Sequence, residues 1–356
     1  MMPASTAPTS RRVVTVHATG GIVRSRLAVP GGAFHYPESR RSGRKMMADH
    51  APDATAGPRA PARVHSRVQG AHSGLSAKQP GVTSGVLDVD LRTDLEVAIA
   101  AARAGAGVVR RSFGRDIDPD LKSVVDPVTE VDRAAEAAIR EVLVAVRPED
   151  EVLGEEGGGQ TEAVGRRWIV DPLDGTVNFL HGHPHVSTSV GLWDGDEPVA
   201  GAVVDVMRGE MFTAARGQGA YLDGRPIRVS SKTRLQECLV GTGFPYDRHL
   251  NGPAYTAAAG EVMKRVRDIR RLGSAALDFA WVACGRFDGF WEFGIYPWDV
   301  AAGLLLVEEA GGLTADMTTS PAGVDSTHFI IAGPGIYEPL VDLIRSVAPP
   351  HVRAGT

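Results

Sequence analysis

Two aspartates stand three residues apart in Asp171-Pro172-Leu173-Asp174-Gly175-Thr176, between the apolar run Trp168-Ile169-Val170 and Asn178-Phe179-Leu180. The stretch reads as a strand end, a tight turn and a helix start. Such a bend can offer carboxylates to a hard cation while helix-start N–H groups point at an anion. Gly175 leaves room for close backbone approach, and Thr176 adds a hydroxyl. The chemistry that fits is magnesium-assisted attack of water on a phosphate ester.

Three further segments supply acids: Asp132, Glu156 and Asp299. Each has an ordinary explanation as well. Asp132 sits in the first turn of an expected helix, where the macrodipole favours a carboxylate. Glu155-Glu156, flanked by glycines, reads as a solvated acidic turn. Magnesium takes oxygen ligands in octahedral array and keeps several waters, so two or three carboxylates per ion suffice, with the Leu173 carbonyl as a further oxygen. These segments hold no Cys or His, which disfavours zinc. His181, His183 and His185 alternate, but Gly182 and Pro184 make a turn the better reading. Gly217-Gln218-Gly219 and Gly241-Thr242-Gly243 are fragments of a dinucleotide fingerprint without its full spacing.

The elements that must carry these residues follow from period and punctuation. Residues 93–113 read as a helix with Val97, Ala101, Ala104 and Val108 on one face. Thr129 and Asp132 form a capping pair ahead of a second helix with the stripe Ala135, Ala138, Ile139, Val142, Leu143, Val146. From Val186 to Ser230 the pattern is antiparallel strands, over Val186–Leu192, Val199–Met207 and Glu210–Ala215, with a hairpin signal at Asp223-Gly224. A helix follows Gly273-Ser274. Phe290–Glu292 reads as a strand, Trp298-Asp299 opens a helix closed by Gly311-Gly312, Phe329–Ala332 is a strand and Tyr337–Val347 a last helix. The expected organisation is an α+β sub-domain over 89–230 and an α/β sub-domain over 231–356.

Residues 1–88 differ from the rest. They are rich in Ser, Pro, Gly, Ala and Arg, poor in acids, and aperiodic, which predicts a disordered extension. The same composition fits a transit peptide, or a start codon placed upstream of Met46 or Met47. The chain has 356 residues, 43% of them apolar, and a formal charge of −5. No charge-free apolar run approaches the ~20 residues of a membrane helix, so a soluble protein with no membrane partner is expected. Mild acidity argues against a nucleic-acid partner. Cys238 and Cys284 match no metal spacing and suggest a reducing, cytoplasmic setting.

With these motifs in place, the sequence resembles the inositol monophosphatase family of magnesium-dependent, lithium-sensitive phosphatases. The matching stretches are DPVTEVD at 126–132, GEE at 154–156, WIVDPLDGTVNF at 168–179, GSAALD at 273–278, and WDVAAG with EEAGG within 298–312. The resemblance implies a layered αβαβα sandwich, commonly a homodimer, with two to three Mg2+ ions per site and a small phosphate monoester as partner. By it, Glu156, Asp171 and the Leu173 carbonyl hold one ion, Asp171, Asp174 and Asp299 a second, and a weaker third sits near Glu156. It also implies that Gly175 and Thr176 bind phosphate, that Thr176 with Asp132 orients and deprotonates the attacking water, and that Ala275 and Glu292 touch the inositol ring. The implied substrate is myo-inositol monophosphate. Relatives that act on histidinol phosphate, fructose 1,6-bisphosphate or 3′-phosphoadenosine 5′-phosphate share the metal segments, and some bacterial relatives contact transcription or RNA machinery. A bisphosphate would need extra cations. Arg248, Lys264, Arg265, Arg267, Arg270 and Arg271 are at hand, although such a run is more often a solvated face or a subunit contact.

Overall fold

The computed structural model describes residues 93–353 apart from 116, 118, 124–125, 159–164 and 319–320. The extension expected over 1–88 lies outside the described residues. The first half runs α1 (Asp94–Ser112), β1 (Asp120–Ser123), β2 (Asp126–Val128), α2 (Glu130–Val146), β3 (Glu151–Gly154), β4 (Arg166–Asp174), α3 (Thr176–Leu180), β5 (Ser187–Asp194), β6 (Glu197–Asp205), β7 (Glu210–Ala215), β8 (Ala220–Leu222) and β9 (Arg225–Pro226). The second runs β10 (Leu239–Thr242), α4 (Arg248–Met263), β11 (Asp268–Arg270), α5 (Ala275–Ala283), β12 (Gly289–Phe293), α6 (Pro297–Glu309), β13 (Leu313–Ala315), β14 (His328–Ala332), α7 (Tyr337–Val347) and α8 (Pro350–Arg353).

Two sheets organise these elements. The larger has seven strands in the order β3-β4-β5-β6-β7-β8-β9, with β3 parallel to β4 and antiparallel pairing from β4 onward. The smaller has five, β11-β10-β12-β14-β13, with the first three parallel and β14 antiparallel to both its neighbours. α1 and α2 pack on one face of the larger sheet, and α5 with α6 on the other. α5 also meets β12 and β14, while α7, paired with α4, packs on the smaller sheet. The layers are therefore αβαβα. β4 shows the logic of the sheet. Trp168 and Val170 join the cluster under α1 and α2, and Ile169 joins the cluster around α5 and α6, as a period of two requires.

Local sequence explains the helices that matter for the site. Thr93 with Glu96, and Thr129 with Asp132, close reciprocal caps at α1 and α2. α1 turns slightly from its expected face. Val97 and Ala101 are buried, but Ala98, Ala102 and Val109 are buried with them, while Ala104 and Val108 are half-buried. α6 is buried from Val300 through Val307, so it is apolar all round, as a helix between two sheets must be. It lies close on the sheet because Gly191 has no side chain; a Cβ there would stand 2.8 Å from the Ala301 backbone. The strands β3, β10, β11 and β13 and the helix α4 carry no clear periodic signal. α4 contains Gly252, Pro253 and Gly260, all helix breakers, and is held by Tyr255, Ala259 and Val262 in the outer core.

Candidate active site

The two aspartates of the bend face one way because β4 carries a bulge. Asp171 pairs with Ser189, yet Asp174 pairs with Ser187, so three steps on β4 oppose two on β5. In a regular strand residues three apart point to opposite faces, and the extra residue brings both carboxylates together. The Thr188 hydroxyl donates to the Pro172 carbonyl at 2.9 Å and pins the bulge. The Leu173 N–H donates to Asp171 Oδ1 at 3.0 Å.

Asp299 arrives from the first turn of α6, where its Oδ2 accepts from the Tyr296 N–H at 2.9 Å. Asp171, Asp174 and Asp299 each offer an oxygen, all within 4.8 Å of one another. Three carboxylates this close repel. Burial, then the charges of Glu155, Asp174 and Asp299, holds Asp171 well above the usual carboxylate range, and burial with Asp174 and Glu155 does the same to Asp299. Asp174 is pushed up by burial but restrained by its donors. Its Oδ2 accepts from Ser274 at 2.6 Å, the Ala276 N–H at 2.9 Å and Ser187 at 3.0 Å, and its Oδ1 from the Ala275 N–H at 3.2 Å. An all-oxygen set of this kind suits a hard divalent cation. The alternating histidines make no such set: His181 and His183 are exposed on a turn, and His185 is buried.

The acid of the GEE segment is Glu155, and the expectation for Glu156 is corrected. Glu155 lines the cavity and its charge acts on Asp171 and Asp299. Its N–H donates to the Val170 carbonyl at 3.3 Å, prolonging the β3–β4 pairing by one residue. The chain then turns over residues 155–157, which brings the next backbone N–H to α2. The Glu156 N–H donates to Glu136 Oε2 at 2.8 Å, and the Glu156 side chain acts on Arg133. Glu136, buried on α2, also accepts from the Gly157 N–H at 3.0 Å and pairs with Arg140, which donates to the Val152 and Gly158 carbonyls. α2 thus anchors the acidic turn.

The same helix supplies Asp132, one turn before Glu136. Its Oδ2 completes the α2 cap with the Thr129 N–H at 2.8 Å, and its Oδ1 accepts from the Thr176 hydroxyl at 2.9 Å. Burial raises the Asp132 carboxyl against these donors. Thr176 Oγ1 also lies 3.1 Å from the Leu173 carbonyl. Thr176 opens α3 after Gly175, whose φ of 95° is open to glycine and strained for other residues. A Cβ at Gly175 would also stand 3.0 Å from the His185 carbonyl.

A cavity of about 100 Å3 gathers these groups. Asp171, Leu173, Asp174, Gly175, Thr176, Ala275, Glu292 and Asp299 all line it, with Glu155, and Asp132 stands behind Thr176. Arg248 and Arg271 line it too, whereas Lys264 pairs with Glu261 and Arg270 with Asp268. Burial pushes the Glu292 carboxyl up to about 8, against the opposing pull of Arg271. Ser187, Ser274 and Glu136 escape sequence reasoning, because serines and a mid-helix glutamate carry no spacing signal of their own.

Residues 90–347 match the Inositol monophosphatase family. The chain belongs to that family. It is 41% identical over 258 residues to the inositol-1-monophosphatase of Rhizobium meliloti, covering 72% of this chain and 97% of that protein. It is equally identical, over 266 residues, to the Nus factor SuhB of Pseudomonas aeruginosa, covering 73% of this chain and 98% of that protein. Among solved structures, the inositol monophosphatase of Anabaena superposes with a TM-score of 0.65 at 35% identity, covering 74% of this chain and 99% of the other. Inositol monophosphatase family members are metal-dependent phosphatases acting on small phosphate monoesters, and the acidic cluster described above is in keeping with that chemistry.

Proposed function

We propose that the protein is a magnesium-dependent phosphatase that hydrolyses myo-inositol monophosphate to inositol and phosphate. The observation that carries this reading is the convergence of Asp171, Asp174 and Asp299 on one point, in a cavity that also holds Thr176 and Glu292. Glu155, Asp171, Asp174, Asp299 and the Leu173 carbonyl are the oxygens that would hold two to three Mg2+ ions. Magnesium bound there would lower the pKa of water and neutralise phosphoryl charge.

The remaining steps belong to the chain. Gly175 and Thr176 take the phosphate, the latter with hydroxyl and backbone. Thr176 Oγ1 accepts a proton from the attacking water as its own proton passes to Asp132 Oδ1, so the net transfer ends on the carboxylate. A second carboxyl, Glu292, faces the leaving alcohol and bonds ring hydroxyls, with Ala275 against the ring. Water is the nucleophile, so no covalent intermediate on Ser or Cys is needed. Lithium inhibition, a homodimer and a cytoplasmic location complete the reading by analogy with the family. Among the described residues no helix is long and apolar enough to cross a membrane.

A second reading, a binding role in transcription, has support in the names of relatives called Nus factor SuhB. Phosphate release decides between them. Myo-inositol 1-phosphate, histidinol phosphate, fructose 1,6-bisphosphate and 3′-phosphoadenosine 5′-phosphate are compared at equal enzyme with magnesium, with and without lithium. Inositol 1-phosphate should show the highest kcat/KM. A higher value for another ester would reassign the substrate. No release from any, with cation binding retained by calorimetry, would overturn the hydrolase and favour the binding role.

A further inference from the structure

Beside the acidic cluster lie three side chains with buried polar atoms that find no hydrogen-bond partner among the described residues. The atoms are both ring nitrogens of His185, Asp278 Oδ1 and Trp281 Nε1. The three side chains meet at one spot. Asp278 Oδ1 stands 3.6 Å from His185 Nε2, too long for a hydrogen bond, and the rings of His185 and Trp281 pack edge to face with centroids 5.1 Å apart. Asp278 and His185 are each 1% exposed. A buried carboxylate oxygen without a partner is costly, and a fold that keeps one has a use for it.

Asp278 is more than a buried neighbour of His185. It lines the same cavity as Asp174 and Glu292. It sits three residues after Ala275 in the first turn of α5, and residues three apart share a helix face, so α5 presents both to the cavity. Its charge acts on Glu292, and Arg271 acts on both acids. Glu292 therefore shares the cavity lining with a second acid that is not one of the three clustered aspartates. Two carboxyls lining one cavity can grip neighbouring hydroxyls, each oxygen accepting one O–H or, when protonated, donating one.

We infer that Asp278, steadied from behind by His185, is a specificity residue that hydrogen-bonds a hydroxyl of the leaving alcohol and selects polyol phosphates over phosphates of hydroxyl-free alcohols. This rests on the polyol-phosphatase reading above. The physical basis is asymmetric. A site with a buried polar group aimed at a substrate hydroxyl binds the hydroxyl-free analogue poorly, because that group is then left unpaired.

The test compares myo-inositol 1-phosphate with cyclohexyl phosphate, which has the same ring and no free hydroxyls, on the full chain with magnesium. Asp278→Leu should lower the ratio of kcat/KM for the two substrates by about 10- to 100-fold, mainly through KM for the inositol ester. Asp278→Asn, which keeps an acceptor of the same size, should retain most of the ratio. His185→Phe, which keeps a ring but removes the polar neighbour, should lower it by a smaller factor. An unchanged ratio in Asp278→Leu, or an equal fall for both esters, would overturn the assignment and leave Asp278 a structural residue. Should Asp278→Leu fail to fold, His185→Phe decides the question instead: an unchanged ratio in that variant overturns the proposal. Failure of the underlying reading looks different, since wild-type protein would then not favour the inositol ester over cyclohexyl phosphate before any variant is made.

Discussion

Asp132 divides its two oxygens: one caps α2, and the other accepts a hydrogen bond from the Thr176 hydroxyl. Thr176→Ala keeps the cap and removes the relay. Its kcat should fall by about 100-fold or more, the usual scale for a lost proton-transfer partner, with a smaller rise in KM for the lost phosphate contact. Steady-state assays check this, and an unchanged kcat with altered KM would make the hydroxyl a binding group only. A sharper test separates neighbours. Glu155→Gln should weaken magnesium binding in calorimetric titration by about 10-fold or more and lower turnover with it, since one ligand charge is lost. Glu156→Gln should leave both within about twofold, because the charge of that side chain acts on Arg133.

At the scale of elements, the site depends on how a strand ends and where a helix begins. The β4 bulge turns Asp171 and Asp174 to one side, Gly175 bends the chain, and α3 starts with the hydroxyl in place. Gly175→Ala should destabilise the fold by about 1–3 kcal/mol, since alanine at that φ is strained and its Cβ meets the His185 carbonyl. Urea unfolding measures the loss, and kcat should fall with it because Asp174 and Thr176 flank the bend. α2 is the second positioning element. Asp132 and Glu136 lie one turn apart, so a single helix sets both the hydrogen-bond partner of Thr176 and the acidic turn.

The whole molecule gathers mutually repelling acids in one buried place, which shapes its response to pH. Burial raises Asp171, Asp299 and Glu292, the last from 4.5 to about 8. A raised carboxyl means that the folded chain holds more protons than the unfolded one. Stability from such a group is full below its unfolded pKa and is lost as pH rises through its folded value. Metal-free protein in EDTA should therefore show a falling Tm between about pH 4.5 and pH 8. Glu292→Gln should flatten that fall, and magnesium should raise Tm most at the alkaline end, where the carboxylates are charged. Thermal melts across this range, with and without magnesium, check the sign. A Tm rising with pH in EDTA would contradict it.

Much of this was legible in the residues alone. The helical stripe behind Thr129, the strand ahead of Asp171 and the acids of the bend follow from local period and punctuation, since caps, turns and amphipathic faces are short-range effects. The choice of Glu155 over Glu156 was not, because it depends on a β3–β4 pairing across an intervening loop. Nor was the arrival of Asp299 beside Asp174, which needs a helix laid between two sheets and packed against Gly191. The sequence by itself determined which side chains were available and which could be metal ligands, because residue chemistry and local spacing are written there. Only the tertiary structure decided which acids share a point and which face away, because that proximity comes from strand register across a loop and from the packing of a helix distant in the chain.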